Sequence, residues 1–147
     1  MFHIHVGYKD HTEEKSIRIL RLMDIFIGAQ SVLIDNDLRR RSLYGKSGEY
    51  RLQPWGCEYR VLSSSMLKDI DNNVDWIWES MEKVMTIFEK VKPSLLDKLF
   101  RLVRKDVELI INENDTSRLE MVNKIVYKLT GVLPSQPIRV KEVQEAV

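Results

Sequence analysis

Cysteine is almost missing from this chain. Cys57 is the single one in 147 residues, so no internal disulfide can form and stability has to come from a packed core. The four prolines and six glycines are too few for a collagen-like or low-complexity architecture. Neither sign of charge dominates. With 23 Lys+Arg against 22 Asp+Glu the net charge is +1, and bulk charge gives no reason to expect specific nucleic-acid binding or an anionic membrane as partner. Long apolar runs are absent too: Ile17 to Ile34, the most apolar stretch, is broken by Arg18, Arg21, Asp24, Gln30 and Ser31 and reads as a core helix rather than a membrane span. The opening Met1-Phe2-His3-Ile4-His5 lacks the basic segment and apolar run of a secretion signal, so the expected location is cytoplasmic. What the chain does have is 44% hydrophobic and 31% charged residues in 17.3 kDa, the size of one domain with one core.

Charge is distributed less evenly than its total. Between Arg39 and Arg60, six basic residues face two acidic ones, giving +4 in 22 residues and leaving −3 for the remainder. Half of the glycines fall in this window. The expected organisation is a single domain over 1–147, with a sheet and motif half (1–65), a helical half (66–131) and a tail (132–147). The fold class expected is α+β: a small antiparallel sheet packed with helices, followed by a helical region.

Phe2, Ile4, Val6 and Tyr8 alternate with His3, His5 and Gly7, the period of a half-buried strand. Glu13 to Ile34 reads as one helix with Thr12 as N-cap, ended by Asp35-Asn36-Asp37. Arg39 to Arg51 reads as a loop. Gly48–Leu52 and Gly56–Leu62 read as short strands joined by Gln53, Pro54 and Trp55. Leu67, Ile70, Val74, Ile77, Met81, Val84, Phe88 and Val91 step by three and four, predicting an amphipathic helix with Trp78 on its stripe and Trp76 at the margin. Pro93 starts a second helix that runs to Ile111. Ser117 and Glu120 have capping-box spacing for a third, which stops before Gly131.

Three clusters carry possible chemistry. His3 and His5 lie about 6.6 Å apart on one strand face, where two imidazoles can share a divalent ion; the alternative is two polar residues on a wet face. Glu58 and Arg60 share a strand face opposite Cys57, Tyr59 and Val61. A carboxylate there can ligate a hard cation while the guanidinium holds a carboxylate or phosphate, or the two can simply form a cross-strand salt bridge. Arg39 to Arg51 interleaves arginines with Gly45 and Gly48, which suits anion binding, or a basic surface loop. It is not a P-loop, because Gly45-Lys46-Ser47 has no correctly spaced preceding Gly. Cys57 reads as a small core residue. Together the clusters supply metal ligands and anion clamps, the parts needed for phosphoryl chemistry on a nucleotide.

The run of His3-Ile4-His5-Val6-Gly7-Tyr8, Asp35-Asn36-Asp37 with its arginines, Tyr44-Gly45-Lys46-Ser47-Gly48-Glu49-Tyr50-Arg51 and Gly56-Cys57-Glu58-Tyr59-Arg60-Val61-Leu62-Ser63 resembles the phage-type carboxyl-to-amine ligases, amidoligases of the glutamine synthetase and glutamate–cysteine ligase superfamily. The likeness covers roughly residues 1–65. It implies a glutamine synthetase-like sheet and an ATP- and Mg²⁺-dependent reaction in which a carboxylate is phosphorylated and an amine captures the acyl phosphate. The substrates implied are a small-molecule or peptide carboxylate and an amine. By resemblance His3 and Glu58 would ligate metal. His5, one of Arg39 to Arg41 (Arg40) and Lys46 would approach ATP, and Arg51 and Arg60 would steady the transferring group. Family members place further metal-binding carboxylates on strands before the His-x-His strand. The resemblance therefore implies an incomplete or split C-terminal part, completed by an N-terminal partner chain or a homo-oligomer. Two other functions fit the same residues: an anion- or nucleotide-binding module without catalysis, and an assembly role through Trp76 and Trp78.

Overall fold

Only the middle of the N-terminal alternation becomes a ladder. In the computed structural model, which describes residues 2–35 and 37–138, β1 is Ile4–Gly7. It pairs antiparallel with β3 (Gly56–Tyr59), which pairs antiparallel with β2 (Tyr50–Gln53), giving the order β1-β3-β2. The register places His5, Glu58 and Arg51 in one row across the sheet, and Ile4, Tyr59 and Tyr50 in the next. Successive residues of a strand point to opposite faces. One face therefore collects His3, His5, Glu58 and Arg51; the other turns Val6, Cys57 and Tyr59 into the core. Gly56 allows the tight approach of β1 to β3. Its φ is +155°, and a Cβ there would lie 2.0 Å from the Val6 carbonyl oxygen.

The inner face is covered by helix. Thr12 caps α1 (Glu13–Met23), its hydroxyl accepting from the Lys15 N–H (3.1 Å). The helix does not run uniformly to Ile34 as the spacing predicts. A π-helical turn, Asp24–Gly28, follows α1, then a single turn α2 (Ala29–Ser31). The extra residue per turn lets both Asp24 and Gly28 face Tyr59, and a Cβ on Gly28 would meet the Tyr59 hydroxyl at 2.2 Å. The expected loop at Arg39–Arg51 also needs correction, since α3 (Leu38–Leu43) occupies its first part, capped by the Asp37 carboxylate accepting from the Arg40 N–H (3.0 Å).

The C-terminal half is helical, with α+β as the class of the whole. A 3₁₀ turn (Ser64–Asp69) precedes α4 (Ile70–Lys90), Pro93 sits at the start of α5 (Pro93–Glu113), and α6 (Leu119–Thr130) ends at Gly131 in the left-handed region, φ 75°. Two expectations fail. Ser117 does not cap α6; its hydroxyl donates to Asp115. The buried stripe of α4 is rotated at its start: Asn73, Trp76, Ile77, Ser80, Val84 and Ile87 are inside, whereas Leu67, Ile70 and Val74 are exposed. Trp76 is 4% exposed and Trp78 is 70% exposed, the reverse of the expected pair. The reason is tertiary. Asn73 is held inside by donating to the Met66 carbonyl (2.8 Å), and Trp76 donates to the Ser135 carbonyl (2.8 Å) of the segment lying over it. The first part of the expected tail is thus docked on α4, with Pro134 and Pro137 buried. Residues 139–147 of that tail lie outside the described residues. No helix among the described residues is long and apolar enough to cross a membrane.

Candidate active site

Glu58 organises the outer face. It is buried, at 5% exposure, in the centre of the three-stranded sheet. One carboxylate oxygen lies 2.8 Å from His3 Nδ1 and 3.5 Å from Arg60 Nε. The other accepts from Gln53 Nε2 at 3.1 Å and lies 3.9 Å from His5 Nε2. Burial alone would raise its pKa. The Gln53 donor, and the positive potential of His3, His5 and Arg51, outweigh burial and hold it below the ordinary carboxylate value. Glu58 is therefore ionised at neutral pH.

His3 shifts downward, chiefly because burial disfavours the imidazolium, with Arg60 and His5 adding to that and Glu58 opposing it. The His3 Nε2 atom is buried and has no hydrogen-bond partner among the described residues. His3, His5 and Glu58 each offer a ligand atom, and these atoms lie within 4.8 Å of one another. The set fits a divalent cation: one hard oxygen donor and two imidazole nitrogens, on a face open enough for water or phosphate to complete the shell.

The other expected site residues divide. Arg51 sits on exposed β2 in the same row as Glu58, and Arg60 stands beside the carboxylate. Arg40 is not brought to this cluster. Its guanidinium is buried, bonded to Asp35 (3.0 Å) and to the Val61 carbonyl (3.1 Å), while Arg41 joins the same two acceptors at 3.3 and 2.8 Å. The paired arginines brace the chain just beyond β3, and they help hold Asp35 below the ordinary value despite burial. The Nε and Nη1 atoms of Arg40 have no partner among the described residues. Lys46 is exposed in the loop between α3 and β2. Cys57 is buried on the inner face, as its alternation with Glu58 predicts, and burial pushes its thiol up.

Two residues escaped the sequence reading. Gln53, assigned there to a connection, ends β2 and donates to Glu58. Trp55, at the β2–β3 turn, stacks on His5, with ring centroids 5.3 Å apart and planes 19° apart. Proximity to the His-x-His strand across a two-residue turn was the available signal, and it is readable only once the register is known.

The family model for the phage phiEco32-like COOH·NH2 ligase-type 2 proteins matches residues 2–94. The chain belongs to this carboxyl–amine ligase family. The match runs beyond the motif half, through all of α4 to the first residues of α5, so the helical cover of the sheet is part of the family unit. No match to the chain is found among curated proteins or solved structures.

Proposed function

We propose that His3, His5 and Glu58 hold Mg²⁺ at a site where ATP drives the joining of a carboxylate to an amine. The observation that carries this reading is the convergence of His3, His5 and an ionised Glu58, with ligand atoms within 4.8 Å of one another, in a chain of a carboxyl–amine ligase family. Bound there, the cation would supply charge neutralisation for the phosphates of ATP. The chain's own residues do the rest. Glu58 holds the His3 ring in one orientation, and Trp55 packs against His5. Arg60 and Arg51 present fork-shaped donors for the transferring phosphoryl group or the substrate carboxylate. Lys46, exposed in the loop between α3 and β2, is a further cationic group available to ATP. In the reaction proposed, a carboxylate oxygen attacks the γ-phosphorus and ADP departs. The amine nitrogen then attacks the acyl carbon, phosphate departs, and the nitrogen loses a proton as the amide forms. The substrates are a small-molecule or peptide carboxylate and an amine.

The sheet supports a completed assembly as well. β1 is an edge strand carrying His5, with His3 just before its first residue, and an edge strand can accept another. We assign further ligands to a strand pairing along β1, from a partner chain or a second copy.

Calorimetric titration of a nonhydrolysable ATP analogue, with and without Mg²⁺, tests the site. Binding is expected to require Mg²⁺ and to vanish in Glu58→Gln. Binding that ignores Mg²⁺ and fades in moderate salt would overturn the reading in favour of charge-only anion binding by the Arg39–Arg60 window.

A further inference from the structure

The inner face of the sheet carries a charged group that ligation does not use. Asp24, in the π-helical turn, is 6% exposed and lines a cavity of about 310 Å³ between α1, α5 and the segment entering β2. Its carboxylate accepts from the Tyr59 hydroxyl (2.7 Å), the Ser47 hydroxyl (2.8 Å) and the Gly48 N–H. All three donors are neutral. Among the described residues no Lys, Arg or His forms an ion pair with it, and Arg41 acts on it only from farther away. Neutral donors offset part of the hydration that a buried carboxylate loses; a cationic partner is the usual remainder.

The fold spends space and contacts to keep this carboxylate where it is. Gly28 is small because Tyr59 needs the room to reach Asp24, and the Ser47 N–H is tied to Asn112 Oδ1 (2.8 Å). Leu20, Ile25, Phe100, Val103 and Val107 give the cavity an apolar wall. At its mouth Arg104 is matched by Glu108 (3.2 Å), and Arg21 lies over the Phe100 ring, 5.8 Å from its centroid. The surplus charge at the mouth is thus Arg21, which repels an ammonium group lodged there. The favourable place for an entering cation is beside Asp24.

We propose that this cavity is a binding site for a small primary amine with an aliphatic body, its ammonium paired with Asp24 and its carbon chain against Leu20, Phe100 and Val107. Tyr59 and Glu58 alternate on β3, so the cavity lies on the opposite face from the cation ligands. Its guest is a separate ligand from an amine consumed there, and the inference does not rest on the proposed ligation.

The probes are n-pentylamine and n-pentanol, which share an aliphatic body and differ in charge, titrated into the whole chain while NMR follows the methyl groups of Leu20 and Val103. At pH 7.5 the amine is expected to bind at least tenfold tighter than the alcohol. Burial pushes Asp24 up to about 6, so at pH 5 it is mostly protonated and the amine's advantage should shrink about tenfold. The other charged or titratable groups around it are Tyr59 from β3, Tyr50 from β2, Arg41 from α3, Arg21 from α1, and Arg104 and Glu108 from α5. Tyrosine and arginine keep one protonation state across this range, and Glu108→Gln should leave the amine preference intact. Asp24→Asn should abolish the preference and leave alcohol binding unchanged. Equal binding of the two probes to the wild-type chain at pH 7.5, no binding of either at millimolar concentration, an amine preference undiminished at pH 5, or one that persists in Asp24→Asn would overturn the proposal. The wild-type pH comparison needs no variant and decides the matter even if Asp24→Asn does not fold.

Discussion

The two faces of β3 are one residue apart and follow opposite rules. On the outer face Glu58 sits among cationic and polar neighbours, His3 keeps a buried nitrogen without a partner, and His5 is largely exposed. On the inner face Tyr59 is fully buried, and its hydroxyl is used by Asp24. The environment sorts the two carboxylates accordingly. Glu58 is held below its ordinary pKa by donors and positive charge, while Asp24 is raised to about 6 because burial outweighs its neutral donors. A half-open face can keep a charge poised for a cation. A closed face can keep one only at a cost in stability.

The sharpest way to break both faces at once is through the brace they share. Asp35→Ala leaves Arg40 and Arg41 buried without their anion and loosens the chain beyond β3. It is expected to cost about 3–5 kcal/mol, read from urea unfolding. A smaller, pH-dependent effect isolates the inner face. Asp24 has a folded-state pKa near 6, above its ordinary 3.8, so between these values the unfolded chain holds fewer protons than the folded one. Stability should therefore fall as pH rises from about 4 to 6, by roughly 3 kcal/mol at about 1.4 kcal/mol per unit. Glu58 and Asp35 act in the opposite sense, losing stability as pH falls through their depressed values. The difference between wild type and Asp24→Asn, from urea midpoints at pH 4, 5, 6 and 7, separates the Asp24 contribution; a flat difference would remove the contrast between the faces. The smallest effect belongs to the outer face. Glu58→Gln keeps an acceptor for Gln53 and is expected to change unfolding free energy by less than about 1 kcal/mol, while abolishing the stabilisation that added Mn²⁺ is expected to give the wild type in thermal melts.

Elements with strong local signals were legible. The period-two run placed His3 and His5 on one face and Val6 on the other, Thr12 capped its helix, and Pro93 and Gly131 marked helix ends. The same alternation separated Glu58 from Cys57 and Tyr59 correctly. The largest failures involve tertiary partners. The Arg39–Arg41 run looks like a basic loop, yet two of the three arginines are buried because Asp35 and the Val61 carbonyl await them. Trp76 and Trp78 are nearly equivalent in periodicity. A segment nearly sixty residues away, at Ser135, selects which one is covered.

The amino-acid sequence by itself determined the strands, the long helices, the sides of each strand and the motif of the family, since these rest on local periodicity, capping and residue chemistry. Tertiary structure alone decided which charges meet. The sheet register aligned His5, Glu58 and Arg51, the π-helical turn set Asp24 against Tyr59, and the β2–β3 turn laid Trp55 on His5. The physical reason is one of range. Local preferences act over a few residues, whereas the energy of a buried charge depends on every group that folding brings within a few ångströms of it.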